Sequence, residues 1–428
     1  MNDNSITALH YYMKYLSHLR QSFLLNQLAF YSLLGSGAYI ILLWSPNILG
    51  KHTGFWTQIV IYLFPWLMLW LVFSWQVVTQ REHRLEIILM VSIIILGIVN
   101  TALSDSVSKS IDSMRTFLLT GIFALWASMF LVYGQRRRQM FDWFCAGALG
   151  VILPVEILLW LLRGNFGPAA FEVFTLHPIP LGTLIILLSP GPVRLIGSKN
   201  PTIKLLGWLL VLLGLVLIFH THKRGTKLAL AAMLAVGMLY HGRRLRYLAL
   251  AGFLALALIL AFQGPRLFAR LDPKIQAHST IRHRLELQHF AWHIWLKHPV
   301  MGIGLRPFTH EHYLSDYQQH NQNLDTFPQA VASLQTLDNL FLTGLVELGT
   351  AMTLLYAGLV LVILVKYGRR LRSGPESSPL DWYRALVLLG FAIHSLTYDS
   401  LLFPPLNWLF HVQVGIMAGY HASETAPG

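Results

Sequence analysis

Long apolar runs separated by short polar gaps fill almost the whole chain. A helix needs about 17–25 predominantly apolar residues to cross a bilayer. Runs on that scale fall at Leu28–Trp44, Trp56–Val78, Ile87–Leu103, Phe117–Tyr133, Phe141–Leu162, Pro178–Ile196, Leu205–His220, Leu228–Tyr240, Leu248–Phe262, Leu340–Val365, Trp382–Thr397 and Leu402–Tyr420. They are continuous rather than alternating, which selects helices over barrel strands. The expected fold is an all-α integral membrane protein with about twelve transmembrane helices. Pro190, Gly191 and Pro192 interrupt the sixth run. Upstream of the first, residues 9–23 mix aromatics with Lys14 and Arg20, a composition that suits a short interfacial helix.

One long stretch, from Gln263 to about Gly349, is too polar to lie in a bilayer until its last residues. It divides the chain into residues 1–262 with the first nine spans, a large and mostly helical loop at 263–339, and residues 340–428 with the last three spans. A long structured loop between spans is where function concentrates.

Charge orients the bundle. Arg81 and Arg84, Arg136 to Arg138, Arg194 with Lys199 and Lys204, Arg243, Arg244 and Arg246, and Lys366 with Arg369, Arg370 and Arg372 fall on alternate connections. The positive-inside rule makes that side cytoplasmic, with both termini, and puts the 263–339 loop on the outer side. Hydrophobic residues make up 55% of the chain and charged residues 12%, about half the charged share of soluble domains. The net charge of +13 therefore reads as cytoplasmic loop charge and sites for anionic lipid or phosphate rather than a nucleic-acid surface. The single cysteine, Cys145, lies in a predicted span and leaves no disulfide framework. The polar N-terminus runs into an apolar stretch long enough to span, unlike a cleavable signal.

The outer connection His220–Lys227 breaks the charge rule, being strongly basic on the translocated side. It admits two readings: a helix-end cluster snorkelling to headgroups, or a phosphate site built on Lys223 and Arg224. In the long loop, Thr280–Lys297 carries a helical apolar stripe of Ile281, Leu285, Phe290 and Ile294, with Arg282, His283 and Arg284 on its polar side. Such a helix can rest on a membrane surface. Alternatively Arg284, like Arg224, holds a diphosphate, since guanidinium binds phosphate oxygens bidentately. His310, His312 and His320 have no fixed metal-ligand spacing, and no metal site is expected. Glu156 lies inside the fifth span, where an ionisable group is paired or functional. His394 and Asp399 sit near the outer end of the eleventh span, where they could complete an acceptor site, or Asp399 could end the helix.

Three segments carry a family resemblance. KRGTKLALAAMLAVGML, from Lys223, resembles the S-R-G helix start of the O-antigen ligase and O-antigen polymerase superfamily. RLELQHFAWHIWLKHPVMGIGL, from Arg284, is similar to its R-x-x-x-W-x-x-A … P-x-x-G-x-G segment, with Gln288 in the aromatic position. LDNLFLTGLVELG, from Leu337, resembles its H-N-x-x-L-x-x-x-x-E-x-G ending. The three appear in family order between about Thr221 and Gly349.

The resemblance implies a metal-independent glycosyltransferase without a cofactor. It would move a glycan from undecaprenyl diphosphate to an acceptor hydroxyl at the periplasmic face of a bacterial inner membrane. Arg224 and Arg284 would hold the donor diphosphate, with Lys223, Arg282, His320 and Asp399 around the substrates. The family's essential histidine falls on Asp338, a departure. A carboxylate can accept the proton of an attacking hydroxyl, so Asp338 is a candidate general base. It also stands where an N-cap of the tenth span would. His320-Asn321 offers a second His-Asn pair, without the downstream Glu-x-Gly. The expected activity is O-antigen ligase, with lipid A-core as acceptor and inversion at the anomeric carbon. The alternatives are a polymerase of lipid-linked repeats or, from another class, a lipid-linked glycan transporter.

Overall fold

In the computed structural model the described residues are 27–43, 83–132, 134–163, 178–220, 224–240, 280–305, 313, 315–317, 337–373 and 378–419. Among them only helices and turns form. In chain order these are α1 (Gln27–Leu42), α2 (Arg84–Ala102), α3 (Val107–Leu131), α4 (Gln135–Arg163), α5 (Pro178–Leu188) and α6 (Pro190–Ile196). There follow α7 (Pro201–His220), α8 (Arg224–Tyr240), α9 (Thr280–Lys297), α10 (Leu340–Ser373), α11 (Pro379–Ser395) and α12 (Pro404–Ala418).

Five of these, α2, α3, α4, α7 and α10, are long and apolar enough to cross a membrane. The α5–α6 pair adds a sixth such element, bent by 42°. The bend falls where Pro190 and Pro192 remove backbone donors and end the i to i−4 ladder. The predicted spans at Trp56–Val78 and Leu248–Phe262 and the interfacial helix at 9–23 lie outside the described residues.

Two elements differ from the sequence expectation. α3 begins at Val107, ten residues before the apolar run, because Ser110 and Met114 give its first turns a buried face. α10 is broken: Gly349 has φ 75° and ψ 171°, so helical structure stops there and resumes within the same apolar run.

α12 is the axis of the bundle. Every residue from Pro404 to Ala418 is buried, against α3, α5, α10 and α11. It crosses α3 at Gly415 and Gly419, where a Cβ would stand 2.4 Å from the Leu125 carbonyl oxygen and 2.2 Å from that of Met129. Small residues four apart allow this backbone contact, as in membrane helix pairs generally. The outer helices show the opposite pattern. Ile88, Val91, Ile95 and Ile98 of α2, and Trp208, Leu212, Val216 and Phe219 of α7, are exposed, as befits faces turned to hydrocarbon rather than water. The described residues thus form a multi-pass helical membrane protein.

The two ends of the bundle differ. At one end Lys366 pairs with buried Glu86 at 2.5 Å, and Arg370 Nη1 donates to the Ala418 carbonyl at 3.3 Å. A capping box between Ser378 and Asp381 starts α11. Near that end Arg384, fully enclosed, pairs with Asp142 of α4 and donates from Nη1 to Gln413 Oε1 at 3.0 Å. Gln413 in turn donates to the Leu187 carbonyl at 3.2 Å, so four helices share one buried polar knot. Removing one partner of a buried ion pair strands the other, at about 3–5 kcal/mol. Arg384→Met should therefore lower the thermal midpoint in detergent sharply, while Arg384→Met combined with Asp142→Leu should recover most of the loss.

Candidate functional site

The opposite end gathers connections far apart in sequence. After α9, residues 299–305 turn alongside the break in α10 and bond to it through their backbone. Ile303 N–H donates to the Val346 carbonyl and Gly304 N–H to that of Glu347, both at 3.0 Å, while Thr350 N–H donates to the Pro299 carbonyl at 2.9 Å. The P-x-x-G-x-G and E-x-G segments therefore meet in space. Gly302 (φ 68°) and Gly349 (φ 75°) face each other across this joint. A Cβ on Gly302 would lie 2.5 Å from Gly349 N, and one on Gly349 would lie 2.3 Å from the Val300 carbonyl oxygen.

The end of α2, the short connection after it and the first turn of α3 clamp the joint. Asn100 Nδ2 donates to the carbonyls of Glu347, at 3.0 Å, and Met301. Ser104 and Ser110 donate to the carbonyls of Ile303 and Leu305 at 3.1 and 3.0 Å. Tyr313 donates to Asp105. Buried in this environment and hydrogen-bonded to a carboxylate, the Tyr313 phenol is held well above its ordinary pKa.

α9 packs on the joint through Leu287, Phe290, Ala291 and Ile294, one face at helical spacing, over Ile303, Tyr313, Tyr317, Leu337 and Val346. The helix thus lies on protein along this face, while Trp292, Leu296 and Val300 remain exposed. Asp316 accepts hydrogen bonds from Lys297 and, at 3.0 Å, from His293 of α9, which pull its carboxyl down to a pKa of about 2.

Asp338 stands where α10 begins. Asn339, not Asp338, caps the helix, its Oδ1 accepting from Phe341 N–H at 3.0 Å and Leu342 N–H at 3.2 Å. Asp338 is left out of that role and adopts φ 52°, unlike any other non-glycine among the described residues. Positive φ is uncommon outside glycine, and Asp, Asn and His tolerate it best. Across from it lies the turn after α11, where Tyr398 and Asp399 are buried. Burial and the nearby carboxylates of Asp338 and Asp399 keep the Tyr398 phenol protonated well beyond its ordinary range.

The start of α8 packs against the same turn. A Cβ on Gly225 would lie 2.3 Å from Thr397 Oγ1, and one on Gly182 of α5 would lie 2.6 Å from Thr226. Arg-Gly at this helix start is thus seated between α5 and α11 by two glycines.

A cavity of about 680 Å³ opens beside Asp399 between α3, α10, α11 and α12. Its apolar walls are Val360, Leu361 and Leu364 of α10, Leu388 and Phe391 of α11, and Phe410 of α12. Asp112, Arg115, Thr343, Glu347, Ser395 and Asp399 supply its polar groups. At 1.5 Å of rise per residue, the α10 wall from Thr353 to Leu364 extends about 17 Å. The cavity can hold a long apolar chain with a polar head at the site end.

Of the predicted site residues, Asp338 and Asp399 are the two whose carboxylates act on the buried Tyr398 phenol. Arg224 opens α8, and Arg282 and Arg284 lie in the first turns of α9; for these three the described structure covers the backbone. Lys223 and His320 lie outside the described residues. Arg115 and Asp112, paired at 3.5 Å on the cavity lip, have no sequence signal beyond their place in a short polar connection. Tyr398 likewise acquires its role only from the fold. Among the described residues no group of three His, Cys, Asp or Glu side chains is arranged to hold a metal.

No curated protein matches the chain. A family match covers the stretch that builds α8, α9, the glycine joint and the first half of α10: residues 209–357 match the family described as O-antigen ligase, which places this segment in the O-antigen ligase superfamily.

Proposed function

We propose that the protein is an O-antigen ligase that transfers a polysaccharide from undecaprenyl diphosphate to the lipid A-core oligosaccharide at the periplasmic face of the bacterial inner membrane. The family match supports a membrane glycosyltransferase-like enzyme acting on lipid-linked glycans. The observation that carries the reading further is the cavity with apolar walls and a carboxylate-bearing mouth, whose Asp399 is two residues in sequence from Thr397, against which the start of α8 packs. An isoprenoid chain fits the apolar walls, which leaves its diphosphate at the site end.

In this reading Arg224 and Arg284 hold the diphosphate, and Lys223, Arg282, His320 and Asp399 line the sugar and acceptor positions. Asp338 takes the proton of the acceptor hydroxyl as the oxygen attacks the anomeric carbon. Diphosphate leaves with the bonding pair, and its growing charge is met by fixed cations. A single displacement inverts the anomeric centre. The site end faces the periplasm and the basic end the cytoplasm, with twelve spans and both termini inside.

The test is deletion of the gene in its own host, with lipopolysaccharide gels and mass spectrometry of the undecaprenyl-linked pool. Long polymer stranded on the carrier beside bare lipid A-core is the expected result. Single repeats on the carrier or capping the core would instead make the protein a polymerase using the same residues. Unchanged glycans in both pools would overturn both transferase readings for that polysaccharide and favour a transporter or another acceptor. Complementation with Arg284→Ala should lower transfer about 10²-fold, the typical effect of losing one electrostatic stabiliser. Arg284→Lys should restore only part, because the bidentate fork is missing.

A further inference from the structure

His394 is fully enclosed near the end of α11, and the proposed transfer gives its ring no task. Its Nδ1 lies 3.0 Å from Ser400 Oγ and 3.0 Å from Thr183 Oγ1, with Nε2 3.2 Å from the same Thr183 oxygen. Ser400 follows Asp399 directly, and Thr183 belongs to α5. On another edge, Cδ2 is 3.5 Å from where a Cβ of Gly225 would stand. Tyr398 meets the ring edge-on, with centroids 6.1 Å apart. Thr397, whose N–H and Oγ1 both bond the His394 carbonyl at 2.9 Å, fills the remaining space against Gly225.

One ring therefore joins three pieces of chain: α5, the turn bearing Tyr398 and Asp399, and the helix start bearing Arg224. A buried polar ring must be hydrogen-bonded to be tolerated at all, and an apolar side chain of similar volume would fill this space without that requirement. What the imidazole adds is direction, because its nitrogens fix where two hydroxyl-bearing segments lie relative to it. We infer that His394 is a positioning residue, setting the separation between the α8 start and the Tyr398–Asp399 turn so that diphosphate and acceptor meet in register. The inference rests on the transferase reading for its catalytic consequence, but not for its geometry.

Purified full-length protein tests both. His394→Phe keeps a planar ring, somewhat larger, and removes both nitrogens; His394→Asn returns one donor and one acceptor. With undecaprenyl diphosphate-linked glycan as donor, His394→Phe should lower kcat per folded molecule about 30-fold and leave the donor KM within twofold. His394→Asn should recover most of that loss. Ser400→Ala and Thr183→Val should each lower kcat in the wild-type background and add little to His394→Phe, since groups in one network are non-additive. Independently of activity, spin labels at exposed Leu228 of α8 and Leu396 beyond α11 should give a narrow distance distribution in the wild type and a broad one in His394→Phe. Wild-type kcat per folded molecule, or an unbroadened distribution, would overturn the inference and leave His394 a packing residue. If the wild-type protein transfers no glycan, the transferase reading falls, and the label distances alone decide whether His394 sets this geometry.

Discussion

Asp338→Asn is expected to lower the transfer rate by about 10³-fold or more, within the range that a positioned general base contributes, with little change in stability. The substitution is chosen for the backbone. Asp338 holds φ 52°, a conformation that asparagine tolerates about as well as aspartate, so the variant removes the charge without straining the start of α10. The helix cap is also spared, because Asn339 provides it. Asn339→Ala is the complementary change and should cost about 1 kcal/mol of stability while leaving the rate per folded molecule largely intact. If Asp338 were only a helix-end residue, Asp338→Asn would leave the rate per folded molecule at its wild-type value. Asp338→His, which installs the residue the resembling family carries there, should keep transfer within about tenfold of wild type, since histidine also tolerates positive φ and accepts protons. Turnover of purified enzyme on lipid-linked donor measures all three. A rate for Asp338→Asn within threefold of wild type would remove Asp338 from the mechanism.

How much of this was legible beforehand depends on whether a feature is local. The apolar runs place α2, α7, α11 and α12 to within a few residues and α4 to within about six, because a helix in a membrane is apolar whether it faces lipid, as α2 and α7 do, or is enclosed by other helices, as α12 is. Pro190, Gly191 and Pro192 announce the α5–α6 bend, since proline acts on its own helix. Features made by contact were not legible. LVELGTAM reads as uninterrupted helix, and the break at Gly349 exists because residues 299–303 supply the hydrogen-bond partners that the helix gives up. The sequence points to Asp338 as the cap of α10; the structure gives that role to Asn339 and puts Asp338 in a left-handed turn. The cavity draws its walls from four helices spread between residues 112 and 410, and no periodicity within one helix encodes it. His394 showed as a polar residue near a helix end, whereas its partners Thr183 and Ser400 lie in other segments.

Gly349→Ala should be among the most damaging single-methyl changes at the described glycines. Its φ of 75° and ψ of 171° fall in a region occupied essentially by glycine alone, which costs another residue about 1–3 kcal/mol. The added Cβ would also lie 2.3 Å from the Val300 carbonyl oxygen and 2.5 Å from Gly302 N, both backbone atoms that cannot rotate away. Relief requires the 299–305 segment to move off α10, which breaks the Ile303, Gly304 and Thr350 bonds together. With them would go the seating of Ser104, Ser110 and Asn100 on that segment. The expected cost is thus about 3 kcal/mol or more, enough to unfold much of a marginally stable membrane protein. The surviving folded fraction should also transfer poorly, because residues 338–348 hang from the same joint. Gly358→Ala, nine residues along in the same helix with open space around its Cβ position, is the control and should be neutral or slightly stabilising. Thermal unfolding in detergent, with turnover measured on the monodisperse fraction, separates the two effects. Equal midpoints for the two variants would show that the 299–305 segment is not locked to α10, and the joint could then not be what holds Asp338 opposite Tyr398.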